Sequence, residues 1–365
     1  MTQEQAFERD WFSMPGDTLL SLMERRNVSA HELAEGLVGG MDAVRGLLAG
    51  SCRIDARLAE ELAFALGGSA EFWLRRQANF DESLARVVSM IYPNEGEEWL
   101  KRVPVPGSRA KGRLSEPQRR DEVRRRLVFF NVNSLQAWMR RYGSIRSETQ
   151  FRTSPTLLSD DGAVSMWLRQ GELEAALLPS KPWNAEGLRD RLGAIRSLSR
   201  IGHPTRFLPK LRDLLAEVGV ALVAVRAPTG CRASGATRMI SADKAMILMS
   251  FRHRADDHFW FTLFHEIGHL LLHGGQTFID DEETFQDDPE REANEFARGC
   301  IVPAQRQSEF ECLRPERKSV LRFSVSVGTA PGLIVGQMQH RKMIGHDRLN
   351  SLKRRWTWSE LESVL

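Results

Sequence analysis

Between residues 15 and 80 the apolar positions recur at helical spacing, in short runs separated by glycine or polar breaks. Leu19, Leu20, Leu22 and Met23 predict a helix over 16–26. Ser29 with Glu32 three residues later reads as a capping box opening a second helix over 30–37, with Leu33, Ala34 and Leu37 inward. Gly39 and Gly40 break the pattern, and 41–48, 55–66 and 70–77 supply three more helices. Two helices joined by a tight glycine turn within such an array form the helix-turn-helix pattern.

Residues 101–117 carry Pro104, Pro106, Pro117 and two glycines, and read as a linker. Helices are expected over 117–130, 135–142, 163–170 and 171–178. The pattern then changes. Amphipathic helices over 188–198 and 207–218 lead into VALVAV at 220–225, a continuous apolar run that reads as a buried strand. Two more strands are expected over 235–238 and 245–250, with 241–244 as their turn, and Asp257 opens the next helix. A small sheet among helices makes the fold class α+β. Beyond a polar stretch after Pro303, residues 318–358 read as a small winged or helix-turn-helix element.

The first stretch resembles the HigA-like branch of the XRE helix-turn-helix family. The likeness rests on Pro15-Gly16, Ser29 with Leu33-Ala34, Leu47-Leu48-Ala49-Gly50, Ile54, Phe72-Trp73-Leu74 and Gln77. In that family the third helix enters the DNA major groove, which makes Arg45, Ser51 and Arg53 the candidate DNA contacts. Charge works against this use. Residues 1–85 carry 8 Lys/Arg against 14 Asp/Glu, whereas DNA affinity comes largely from phosphate contacts. Dimerisation or partner binding is the alternative use of the bundle. The basic excess lies in 86–215, with 24 Lys/Arg against 14 Asp/Glu, densest at 101–126. Such a cluster suits nucleic acid or an acidic partner, or simply a solvated linker and charged helix.

Four scattered cysteines without a CxxC pair indicate neither a disulfide framework nor a cysteine metal site. Free thiols and a charged N-terminus without an apolar core lead to the expectation of a cytoplasmic protein. No run of apolar residues is long enough to predict a membrane span.

The chemistry concentrates in FTLFHEIGHLLLH at 261–273. On a helix His265 and His269 project from one face and can share one zinc ion, while Glu266 between them can deprotonate a water. The surrounding positions are strongly apolar, so the helix is expected to be buried, and a metal relieves the cost of burying these polar groups. A third ligand is needed. Position 275, which a histidine ligand would occupy, is Gly275, and His273 is read as a supporting or surface residue. Glu290 opens EREANEFAR on a stripe with Ala293 and Ala297, small residues that permit close helix approach, and is taken as the third ligand. Glu292 is the alternative. The residue that steadies the oxyanion is left open among His258, His253 and Arg238.

FHEIGHLLLHG, followed by ExxANxFA and Ile301-Val302-Pro303, resembles the ImmA/IrrE metallopeptidases. Gly235-Ala236-Thr237-Arg238, the segment from Asp256 to Thr262, Ala330-Pro331-Gly332 and His340 extend the likeness. The resemblance implies a zincin-like domain and cleavage of a transcriptional repressor that releases stress-response or mobile-element genes. The expected organisation is a helix-turn-helix domain at 1–85 and a linker with a basic helical connector at 86–180. A zinc peptidase domain follows at 181–310, and a helical element at 311–365 packs on it. The alternative function is a non-proteolytic, DNA-binding or antitoxin-like regulator. An intact Glu266 favours the enzyme, because a structural metal site has no use for a general base.

Overall fold

The computed structural model describes residues 12–91, 96–107, 114–142, 155–274, 277–280, 288–362 and 364, without the side chains of 102, 155–161 and 278–280. The chain divides into two compact units, Met1–Leu177 with Thr229–Cys231, and Leu178–Pro228 with Arg232–Leu365.

The described part of the first unit is helical. Its helices are α1 (Pro15–Arg26), α2 (Ala30–Glu35), α3 (Gly40–Ala49), α4 (Ala56–Leu66), α5 (Ala70–Ile91), α6 (Gly96–Arg102), α7 (Glu116–Phe130), α8 (Leu135–Tyr142) and α9 (Pro155–Leu177). The capping box read from the sequence forms. Ser29 Oγ accepts from the Glu32 amide at 3.2 Å, and Glu32 Oε2 accepts from the Ser29 amide at 2.8 Å. Leu19, Leu33, Val44, Leu47, Leu62 and Trp73 make the shared core of α1 to α5.

Three expectations need correction here. α5 runs on to Ile91 instead of stopping at Gln77, because Phe80, Leu84 and Ile91 continue its buried stripe. The two helices expected over 163–170 and 171–178 are one, α9. Gly171 costs a helix about 1 kcal/mol, but Trp167, Leu168 and Ala175 are fully buried along it and offset that loss. Residues 101–117 are not linker throughout, since α6 occupies their start; residues 108–113 lie outside the described ones.

The second unit is α+β. It contains α10 (Ala185–Leu198), α11 (Pro204–Ala216), β1 (Val220–Ala224), β2 (Gly235–Ser241), β3 (Lys244–Met249), α12 (Asp256–Leu272), β4 (Phe278–Asp280) and α13 (Asp288–Ile301). Then come α14 (Gln307–Glu311), α15 (Arg317–Val327), α16 (Pro331–His340) and α17 (Trp358–Glu362). The sheet order is β1-β3-β2-β4; β1 runs parallel to β3, and the other two pairings are antiparallel. All five residues of β1 are buried, as its unbroken apolar run requires. β4 was not foreseen. Its three residues are too few for a periodicity, and only pairing with β2 reveals them. The element at 318–358 is two helices, α15 and α16, followed by irregular chain. Among the described residues it has no wing, only an isolated bridge between Ala255 and Arg355. No single helix among the described residues is long and apolar enough to cross a membrane.

Nearly every residue of α12 is buried, and the C-terminal chain holds its first turn. Asp256 Oδ1 accepts from the amides of Asp257 at 2.9 Å and Arg354 at 3.0 Å, while the Asp256 amide donates to the Arg354 carbonyl. α16 can approach this carboxylate only because Gly332 lacks a side chain. A Cβ there would lie 2.5 Å from Asp256 Oδ1.

Burial pushes the Asp256 carboxyl up to about 6 from 3.8, against the opposing hydrogen bond from the Arg354 amide. The folded chain therefore holds this proton more tightly than the unfolded chain, and stability falls as pH rises from about 4 to about 6. Asp256→Asn keeps an acceptor and removes the buried charge. Thermal unfolding should show the variant more stable at pH 8, by on the order of 2 kcal/mol, with the difference vanishing near pH 4.

Candidate metal and catalytic site

α12 and α13 cross at a point where both carry small residues. A Cβ on Gly268 would meet Ala293 Cα at 3.2 Å and Phe296 Cδ1 at 3.1 Å, and Ala293 and Ala297 are fully buried there. This close approach sets the first turn of α13 over the middle of α12. His265 Nε2 and His269 Nε2 lie 2.9 Å apart, and each is 3.2 Å from an oxygen of Glu290. Among the described residues these three are the group able to hold a metal ion.

The hydrogen bonds on the far sides of the rings decide what this group offers. Asn294 Oδ1 stands 3.2 Å from His265 Nδ1 and takes its proton as an acceptor, which leaves Nε2 with a lone pair. His269 is served by a longer chain. Glu292 Oε2 accepts from His273 Nε2 at 3.0 Å, so His273 Nδ1 in a neutral ring accepts from His269 Nδ1 at 3.2 Å. His269 Nε2 thus also turns a lone pair inward. Two lone pairs and a carboxylate converging in a buried space repel one another until a cation sits among them. Ligands about 2.0–2.1 Å from a tetrahedral zinc stand roughly 3.3 Å apart, close to the observed edges of the triangle. The residues fit a metal.

Before an ion binds, imidazole N–H groups donating to the carboxylate take the place a cation would hold. Burial by itself raises the Glu290 carboxyl, but the imidazoles of His265 and His269 outweigh it and hold it at about 2. Burial also lowers His269, with Glu290 opposing that shift. Glu290 is the carboxylate in the group; Glu292, two residues on, reaches His273 instead.

Glu266 is fully buried on the same helix. Its carbonyl accepts from Thr237 Oγ1 at 3.2 Å, which ties this turn of α12 to β2. A Cβ at Gly235 would fall 2.5 Å from Glu266 Oε1, so that position must be glycine for the carboxylate to keep its place. Sequence reading assigned no role to Asn294, Gly235 or Thr237. The ANxF and GAT strings contained them, but only the fold shows what they touch. The residues left open for the oxyanion lie on other turns and strands than the three donors. His253 and His258 stack on each other with ring centroids 4.1 Å apart, about two turns from His265, and Arg238 lies further along β2.

The candidate DNA contacts stand apart from one another in their bonding. Arg45 Nε donates to Glu174 Oε1 at 2.8 Å, Arg53 pairs with Asp81, and Ser51 Oγ donates to the Gly46 carbonyl at 3.4 Å. The described arginines of the basic cluster are likewise engaged. Arg119 pairs with Glu97, Arg120 with Glu116, Arg124 with Asp81, and Arg125 and Arg126 with Glu122. Arg126 is 1% exposed, a core residue and not a surface charge.

With this geometry in hand, the comparisons place the segment. Residues 233–330 match the Peptidase_M78 family, described as the IrrE N-terminal-like domain. No curated protein matches the chain. The matched segment contains the whole donor group together with Gly235, Thr237 and Glu266, and it points to a metallopeptidase.

The Glu292–His273 chain makes its own prediction. Glu292→Ala removes the acceptor of the His273 proton, and Glu292 is 57% exposed, so folding should be preserved. Chelator competition should show about tenfold or greater weakening of divalent-metal affinity. Unchanged affinity would mean that the chain does not orient His269.

Proposed function

We propose that this protein is a zinc-dependent endopeptidase whose ion is held by His265, His269 and Glu290 and whose general base is Glu266. The observation that carries the reading is the convergence of two imidazole nitrogens and a carboxylate at edges of 2.9 and 3.2 Å, on the helix that also carries the fully buried Glu266. When bound, zinc supplies Lewis acidity to a carbonyl and to water. Glu266 takes a proton from the attacking water as its oxygen bonds to the peptide carbon. It returns that proton to the nitrogen as the C–N bond breaks, and the second water proton passes from the new carboxylic acid to the amine, leaving a carboxylate and an ammonium. Gly235 leaves room for the carboxylate, and Thr237 fixes the backbone that carries it. The sheet order ends at β4, next to Gly235, on the side where an extended peptide could add by main-chain pairing.

A regulatory protein, and a transcriptional repressor in particular, is the substrate this reading favours. The sequence resemblance supports that choice. DNA contact through residues 1–85 is the second use to be weighed. The succession α1 to α5 supports it, while the pairing of Arg45 with Glu174 and of Arg53 with Asp81 counts against it, since both cations are already partly satisfied.

Expression of the wild type and of Glu266→Gln beside the products of neighbouring genes tests the peptidase. New peptide termini, read by mass spectrometry, should appear only with the wild type, and the loss in rate for Glu266→Gln should be about a hundredfold or more. Purified Glu266→Gln should still bind one zinc per chain, whereas Glu290→Ala should lose most of it. Bound zinc without any wild-type-specific fragment would favour the non-proteolytic regulator.

A further inference from the structure

A cavity of about 330 Å³ lies between α12 and α16, within the second unit. It begins close to the catalytic group. Thr262 and Ser234 line it, and they flank Gly235, where a Cβ would fall 2.6 Å from Thr262 Cγ2 and 2.5 Å from Glu266 Oε1. Phe261, another wall residue, has its ring centroid 6.4 Å from that of His265. The volume sits at the small end for ligand pockets and suits one side chain.

Its charges are already balanced. Asp257 Oδ2 and Lys353 Nζ are 2.6 Å apart, with side chains 8% and 11% exposed. The same ammonium donates to Gln339 Oε1 at 2.6 Å. His340 Nε2 accepts from Arg298 Nη2 at 2.8 Å, which makes that end of the cavity hostile to a cation. Gln337 is different. It is 4% exposed, and its carboxamide bonds to no described residue and opens onto the cavity. Gln339, two positions along, shows the contrast: its Nε2 donates to the carbonyls of His346 and Arg348 and to Asn350 Oδ1.

A ligand entering the cavity takes water from this carboxamide, and leaving either of its ends unmet then costs about 1–3 kcal/mol, so a ligand that satisfies both ends is favoured. A carboxylate would satisfy the Gln337 N–H groups and oppose its oxygen, and an ammonium would do the reverse. Only a group that both donates and accepts pairs with both ends. Ile301 and Leu333, with Phe261, give apolar walls for a short methylene stem. We propose that this cavity receives the side chain of a substrate residue beside the scissile bond and selects a carboxamide, Gln or Asn, through Gln337. The assignment rests on the peptidase reading, but the binding chemistry can be tested without it.

The first arm digests a randomised capped peptide library with the zinc-loaded wild type and with Gln337→Leu. The wild type should favour Gln or Asn by about fivefold or more at one position near the cut, and the apolar substitution should bring this to within about twofold. Cleavage without a carboxamide preference, or with one that Gln337→Leu leaves intact, overturns the proposal while the peptidase reading stands. The second arm measures binding of N-acetyl-glutamine methylamide, and of its glutamate and leucine counterparts, to zinc-loaded Glu266→Gln by ligand-observed NMR. Binding of the glutamine probe about fivefold tighter than the others supports the pocket even if no library peptide is cut. Equal binding of all three, or tighter binding of the glutamate probe, overturns it. Circular dichroism and a thermal melt of Gln337→Leu check that its fold is retained.

Discussion

The close crossing of α12 and α13 is the contact on which the rest of the site depends. Gly268 on one helix and Ala293 and Ala297 on the other let the two backbones approach until Gly268 almost touches Ala293 Cα. A larger side chain at any of these positions would separate the helices. The site tolerates little of that, because Glu290 must stand within about 3 Å of two imidazoles fixed on the opposite helix. The small residues cost helix and core energy that larger apolar residues would supply. Burial of Phe264, Ile267 and Ile301 around the crossing offsets it.

The opposite end of α12 is held by polar contacts. Asp256 binds the Arg354 amide, Asp257 binds Lys353, and both carboxylates face glycines of α16. The C-terminal chain therefore fixes the start of the helix whose middle carries His265 and Glu266. The two buried carboxylates differ in their neutralisation: Asp257 has an ammonium, whereas Asp256 has only amides and a raised affinity for a proton. Between these anchors the chain leaves the cavity lined by Gln337. Rigid surroundings of this sort suit both a metal site and a selective pocket, since each loses affinity when its groups must be ordered on binding.

In the helical unit, the described arginines of α7 are spent on carboxylates of α7 itself and of α5 and α6. Exposed pairs such as Arg120–Glu116 contribute little stability, but the buried Arg126–Glu122 pair is worth far more to keep than to break. Its surface charge is thereby reduced, whatever the unit contacts.

Local pattern determined much of this. The extents of α1, α4 and α8 follow from periodic apolar positions, the start of α2 from its capping box, and β1 from its unbroken apolar run. HEIGH places two imidazoles on one helical face by spacing alone, and the stripe of Glu290 with Ala293 and Ala297 indicates how a third donor would come near. Contacts between distant segments carry no such signal. Glu292 pairs with His273 and Asn294 with His265 only because α13 lies across α12, and β4 exists only where β2 pairs with it. Whether Gly171 would break α9 depended on the burial of Trp167 and Leu168, which no local propensity records. Backbone and side-chain periodicity is written residue by residue. Partner choice, tautomer and the neutralisation of charge are settled by what the fold brings within hydrogen-bond reach.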